Sequence, residues 1–221
     1  WFTKFIRGNF GFSLAWNQPV RSLIGERLLL TMAVSIASIL FSWIVAFPIG
    51  VLSAVKQYSV GDYIATFIGF LGLAIPNFLL ALILMFFSYK FFGSGIGGLF
   101  SSEYAGAAWS WAKFVDLLQH IWIPMVVVGT AGTAGAIRIL RANLIDELRK
   151  PYVVTARSKG VPEWRLLLKY PIRIAINPFI STVGWLLPRV ISGATITSIV
   201  LALPTAGPLL LSALLQQDMQ L

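Results

Sequence analysis

Three stretches of the 221-residue chain run without a single Asp, Glu, Lys or Arg: residues 28–55, 63–89 and 117–137. A helix rises about 1.5 Å per residue and needs roughly 20 apolar residues to cross a bilayer's hydrocarbon core. Each stretch is long enough to do so. A fourth apolar region is split, because residues 174–188 and 190–217 are uncharged and Arg189 stands between them. Hydropathy alone allows a span on either side of Arg189. Pro204, Gly207 and Pro208 would break a helix running through the later block, so the span is expected at about residues 175–201. Residues 209–217 then read as a re-entrant or surface helix.

Composition supports this reading. The chain is 57% hydrophobic and only 11% charged, against about 25% charged in an ordinary soluble domain. The expected fold class is an all-α membrane protein, a polytopic helical bundle. The basic residues sit between the apolar blocks, so the net charge of +9 speaks for orientation and not for nucleic acid. Residues 138–173 carry nine basic and three acidic side chains, and the positive-inside bias makes that loop cytoplasmic. Residues 56–62 form the other cytoplasmic loop, and both ends of the chain then face outward. Residues 1–27 become an extracytoplasmic segment, residues 28–201 the transmembrane core, and residues 202–221 an extracytoplasmic re-entrant segment. Lys4, Arg7, Arg21 and Arg27 oppose this orientation, but four dispersed charges weigh less than a cluster of nine. Trp109, Trp111, Phe114 and Leu118 precede the third span and suit a helix lying in the outer interface.

Catalytic chemistry finds little to build on. The chain has no cysteine and one histidine, His120, which removes thiol chemistry and leaves no metal site. The spans hold no carboxylate that could serve a membrane protease or a proton-coupled carrier. Three features can shape a path through the bilayer. Pro76 and Asn77 fall in the middle of the second block, where a proline frees a carbonyl and an amide in lipid turns toward the bundle interior. Arg189 would cost about 2.5–3.5 kcal/mol at mid-depth and is a candidate contact for a carboxylate-bearing substrate. The run of small residues 129–136 suits close helix packing.

The loop 138–173 holds the most specific pattern. Residues 150–160 read as a short helix with Pro151 in its first turn and Gly160 as a left-handed cap. Residues 161–169 read as a second, opened by Pro162 and stopped by Pro171, with Trp164, Leu167 and Leu168 on one apolar face. Two such helices fit either a groove on a partner or an anionic lipid surface.

Tyr152-Val153-Val154-Thr155-Ala156-Arg157-Ser158-Lys159-Gly160 resembles the coupling loop of ABC importer permeases, in the form Tyr-Val-x-Thr-Ala-Arg-x-Lys-Gly of the dipeptide/oligopeptide branch. Val154 stands where the general motif has an acid. Leu166-Leu167, Arg173-x-Ala175-x3-Pro178, Gly8-Asn9-Phe10-Gly11-Phe12-Ser13, Pro19-Val20, Glu26-Arg27-Leu28, Pro48-x-Gly50, Ile75-Pro76-Asn77-Phe78 and Leu203-Pro204 are similar to that branch as well. The resemblance implies a MetI-like permease core in a bacterial inner membrane, with four to five spans in this chain, and a first and a last span beyond its ends. It implies a peptide-like solute, a second permease subunit, two ATP-binding subunits and an extracytoplasmic solute-binding protein. Tyr152, Val153, Thr155, Ala156, Arg157, Lys159, Gly160, Trp164 and Leu167 would form the contact with the ATPase. The chain has no Gly-x4-Gly-Lys-Ser/Thr motif, so ATP is expected on the partners, no cofactor is expected here, and the chain is not expected to be an enzyme. The competing reading is a secondary carrier or a membrane scaffold.

Overall fold

The computed structural model describes residues 10–92, 97–181 and 195–218. A two-residue hairpin, β1 (Phe12–Ser13) with β2 (Gln18–Pro19), precedes a run of helices. These are α1 (Val20–Val55), α2 (Val60–Ala74), α3 (Asn77–Phe92), α4 (Trp111–His120), α5 (Trp122–Leu148), α6 (Pro151–Ser158), α7 (Glu163–Lys169), α8 (Pro171–Ser181), α9 (Thr195–Val200) and α10 (Ala206–Leu215). Among the described residues α1 and α5 are long and apolar enough to cross a membrane. Helices α2 and α3 are apolar and separated by a break, with the length and composition of either a broken span or a re-entrant loop. The fourth expected span crosses residues 182–194, which lie outside the described residues together with Arg189.

Four boundaries differ from the sequence expectation. Helix α1 begins eight residues before the apolar block, carrying Arg21, Glu26 and Arg27 in its first turns. The second block is two helices and not one. Ile75 is extended (φ −82°, ψ 120°), the conformation a following proline imposes, and Pro76 has no N–H to continue the ladder. The third block divides at Ile121, just before Pro124, and α5 then runs on to Leu148. The first eleven residues of the expected loop, 138–148, are therefore helical. Hydropathy marks where the apolar run ends, and arginines lift their heads to water without ending a helix. The C-terminal helix lies at Ala206–Leu215, not 209–217.

The chain forms two compact units. The described residues of one come from Trp1–Ser38, Asn77–Val128 and Arg189–Leu221, those of the other from Ile39–Pro76 and Gly129–Pro188. The first unit is built around Leu30, Val34, Ala81, Leu117, Val127 and Leu201. Thr31 accepts the Ala206 N–H at 2.9 Å, tying the start of α10 to α1, and Ser13 donates to the Asp218 carboxylate. Helix α4 turns Lys113, Asp116 and Leu117 inward and exposes Trp111, Phe114 and Leu118. Lys113 is 2% exposed. Its ammonium donates to the Ala107 carbonyl at 2.7 Å and lies 4.8 Å from the Phe100 ring centre and 5.3 Å from that of Trp109. The rings and the carbonyl replace the water that burial removed.

The second unit packs α1, α5 and α8, with Leu167 of α7, around Ala46, Ala54, Ile137, Leu140, Leu144 and Ala175. Its helices approach through small residues. A Cβ at Gly72 would stand 3.1 Å from the Thr130 methyl, one at Gly132 3.3 Å from Ser42 Oγ, and one at Gly50 3.1 Å from Leu140. The small run on α5 is thus a packing surface, as its composition suggests.

Candidate coupling loop and the ion pair beneath it

Helix α6 opens on Pro151, whose missing N–H would be unpaired in a first turn anyway. Its end is a Schellman turn. The Val161 N–H bonds to the Ala156 carbonyl at 3.4 Å and the Gly160 N–H to the Arg157 carbonyl at 3.0 Å. Gly160 takes φ +74°, and a Cβ there would meet nothing within 4 Å. The backbone angle alone asks for glycine. Val161 then packs with Val153, Ala156 and Leu166, and these residues close a small core between α6 and α7.

Most of the motif faces inward or is used locally. Val153 and Ala156 are buried and Tyr152 half-buried. The Tyr152 hydroxyl donates to Glu147 at the end of α5. Burial first, and then Glu147, push that hydroxyl up to about 12. Thr155 Oγ donates to the Pro151 carbonyl at 2.9 Å. Arg157 reaches across the glycine corner to Glu163, with Nη2–Oε1 2.5 Å and Nε–Oε2 3.1 Å. That fork holds the Glu163 carboxyl below its ordinary value. Lys159 and Gly160 are exposed.

Trp164, Leu167 and Leu168, expected as one apolar face of α7, differ in exposure. Leu166 is the fully buried residue and Leu167 packs against the core of the second unit, whereas Trp164 and Leu168 are 63% and 54% exposed. The inward direction is set by α6, which offers Val153 and Ala156 at the angle of Leu166. Val154, also exposed, joins Trp164 and Leu168 in giving the loop apolar outer surface. The sequence reading passed over Val154 as a mismatch to the general motif.

A second feature was missed altogether. Asp62, in the first turn of α2, is 4% exposed and accepts a forked pair from Arg141 on α5, with Nη2–Oδ2 2.8 Å and Nε–Oδ1 3.1 Å. Ser53 of α1 donates to the same carboxylate, and so does the Tyr58 N–H at 2.9 Å. One carboxylate therefore joins α1, α2 and α5 at the 56–62 turn. In sequence, Asp62 reads as one more loop charge. Only its position within reach of an arginine 79 residues away reveals the pair.

The remaining site expectations are placed as follows. Pro76 is exposed and Asn77 half-buried at the break between α2 and α3, so the pair interrupts the span instead of kinking it. Arg189 falls outside the described residues. His120 lies 3.5 Å from Asp116, and Ser101 is nearby, but Ser101 Oγ donates to Asp116 at 2.6 Å and not to the imidazole. The hydroxyl is held by the carboxylate and not by the imidazole, so the trio lacks the serine–histidine contact of a nucleophilic triad. Among the described residues no cluster of His, Asp and Glu could hold a metal.

Residues 46–221 match the family described as binding-protein-dependent transport system inner membrane component. The chain belongs to that family. The permease is 34% identical, over 99% of its length, to the oligopeptide transport system permease protein AppB of Bacillus subtilis, and covers 68% of it. It is 27% identical over 96% of its length to the dipeptide transport system permease protein DppB of Escherichia coli, covering 68%. It is 26% identical over 99% of its length to the putrescine export system permease protein SapB of Escherichia coli, covering 73%. The fold class is that of an all-α, MetI-like membrane permease. The permease is a multi-pass inner-membrane component of a transport system that depends on a binding protein, and the relatives it matches are permeases, not enzymes.

Proposed function

We propose that this permease takes a peptide-like solute from an extracytoplasmic binding protein into the cell, and that residues 150–169 couple it to a cytoplasmic ATPase. The observation that carries the coupling reading is the division of labour in the loop. Val153, Ala156, Leu166 and the Arg157–Glu163 fork hold two helices at a fixed corner, while Val154, Trp164 and Leu168 remain outside with Lys159 and Arg165. A rigid corner with an apolar and basic outer face suits a groove on a partner. The peptide substrate is supported by the names of the oligopeptide and dipeptide relatives. In this proposal two ATP-binding subunits hydrolyse ATP, a second permease completes the path, and this chain binds no nucleotide. Pro76, Asn77 and Arg189 are proposed to border the path.

The experiment is photocrosslinking from Trp164 in the assembled complex. Crosslinks to the ATP-binding subunit are expected. Crosslinks to lipid alone would replace the coupling assignment with a loop resting on the membrane.

A further inference from the structure

We infer that the groove between α2 and α5 binds an anionic phospholipid, with its phosphate on Arg138 and part of one acyl chain along Gly69, Phe70 and Ala134. The groove encloses about 220 Å³ within the second unit. Its walls are apolar or small except at one end, where Arg138 and Arg141 stand a turn apart on α5. The two arginines are in different states. Arg141 is neutralised by the forked pair with Asp62. Arg138 is exposed, its guanidinium lies 5.4 Å from the Phe70 ring centre, and among the described residues it forms no ion pair. One net positive charge is left over at the mouth of an apolar slot, and no carboxylate lines the slot to answer it.

The complementary ligand has one negative head and an apolar tail. Lipid fits better than solute for a positional reason. Arg138 is the first charge after the apolar run of α5, the depth at which an arginine reaches the headgroups. Basic pockets between spans on the cytoplasmic side take anionic headgroups, and the nine basic residues of 138–173 enrich such lipids nearby. Phe70 supports the guanidinium by its ring face and leaves the N–H edge free to hold a phosphate in two-point fashion. The inference rests on the cytoplasmic orientation in the proposed function, but not on the coupling assignment.

The test is native mass spectrometry of the intact transporter complex in detergent, with phosphatidylglycerol or phosphatidylcholine added. The wild-type complex should retain phosphatidylglycerol in preference. Arg138→Gln should retain roughly tenfold less of it, with phosphatidylcholine unchanged, and Arg138→Lys should recover part of the difference. Thr66 is exposed at the rim, so Thr66→Phe fills the slot without touching the core or the charge, and should lower retention of both lipids. It decides the matter if Arg138→Gln fails to assemble. Equal phosphatidylglycerol retention by wild type and the variant that assembles would overturn the site. So would crosslinks from a photoreactive residue at position 66 that reach a helix of another subunit, since the slot would then be covered by protein. Neither result bears on crosslinks from Trp164, so the two proposals fail separately.

Discussion

Removing the Asp62 carboxylate leaves the Arg141 guanidinium without its partner and the Tyr58 N–H and Ser53 hydroxyl without their acceptor. Breaking a buried pair costs more than the pair contributes, because the surviving charge stays desolvated. Arg141 keeps some access to water, at 28% side-chain exposure, which moderates the penalty. Asp62→Ala is expected to destabilise the purified chain by about 2–3 kcal/mol. Asp62→Leu with Arg141→Leu should cost clearly less than the two single changes added together. Unfolding in mixed micelles measures both, and additive losses would mean that the pair is not coupled. Tyr152 supports a pH prediction. Its raised value favours the neutral hydroxyl in the fold, so its contribution is complete below the ordinary value of 10.0 and is lost as pH rises toward about 12. The tyrosinate absorbance difference between wild type and Tyr152→Phe should rise near pH 12, and a rise near pH 10 would show that the ring is not held against α5. Glu163 runs in the opposite sense. Its lowered value makes the fork with Arg157 complete above the ordinary carboxylate range and lost as pH falls through the folded value, an effect kept small by solvent around both side chains.

At the scale of elements, the corner between α6 and α7 depends on one backbone angle. Gly160→Val should strain it by roughly 1–2 kcal/mol, with no steric collision because a Cβ there meets open space. Gly160→Asn should be nearly neutral, since asparagine tolerates that region. The expected phenotype of the valine variant is normal membrane abundance with reduced stimulation of ATP hydrolysis by the binding protein in the reconstituted complex. If valine and asparagine behave alike, the corner's geometry is not what transmits the signal. This corner was legible in the sequence because its determinants are local. Pro151 sets a first turn, Gly160 a left-handed residue and Pro171 a new start, and each acts within a few residues of itself. The inward face of α7 was not legible. A seven-residue helix has apolar side chains at Trp164, Leu166, Leu167 and Leu168, so periodicity alone admits more than one buried set. Contact with Val153 and Ala156 chose Leu166. The break at Ile75 was half legible: Pro76 marks the place, but Pro48 lies within the continuous helix α1, so a proline in an apolar block does not by itself say whether the helix stops.

For the whole molecule, the two long apolar helices α1 and α5 were readable because a bilayer demands length and apolarity. The tie between Asp62 and Arg141 was not, because pairing across 79 residues is a property of the bundle. That tie also bears on orientation. Of the nine basic residues in 138–173, Arg138 and Arg141 belong to α5, and Arg141 is already matched to Asp62. Seven remain in the segment beyond α5: Arg149, Lys150, Arg157, Lys159, Arg165, Lys169 and Arg173. The bias counts Lys and Arg near span ends, and acidic residues weigh little in it, so the Arg157–Glu163 fork does not reduce the count. The opposing group, Lys4, Arg7, Arg21 and Arg27, has four. Seven against four still favours the cytoplasmic orientation proposed for the coupling loop. The absence of cysteine makes the test direct, because any introduced thiol is the only one in the chain. Ser158 and Glu103 are both exposed, which suits them to labelling without disturbing a core. A membrane-impermeant maleimide should label Glu103→Cys in intact cells, and should reach Ser158→Cys only after permeabilisation. The reverse pattern would turn the protein over in the membrane. It would put Trp164 and Leu168 out of reach of any cytoplasmic ATPase, and it would require the coupling contact to lie elsewhere in the chain.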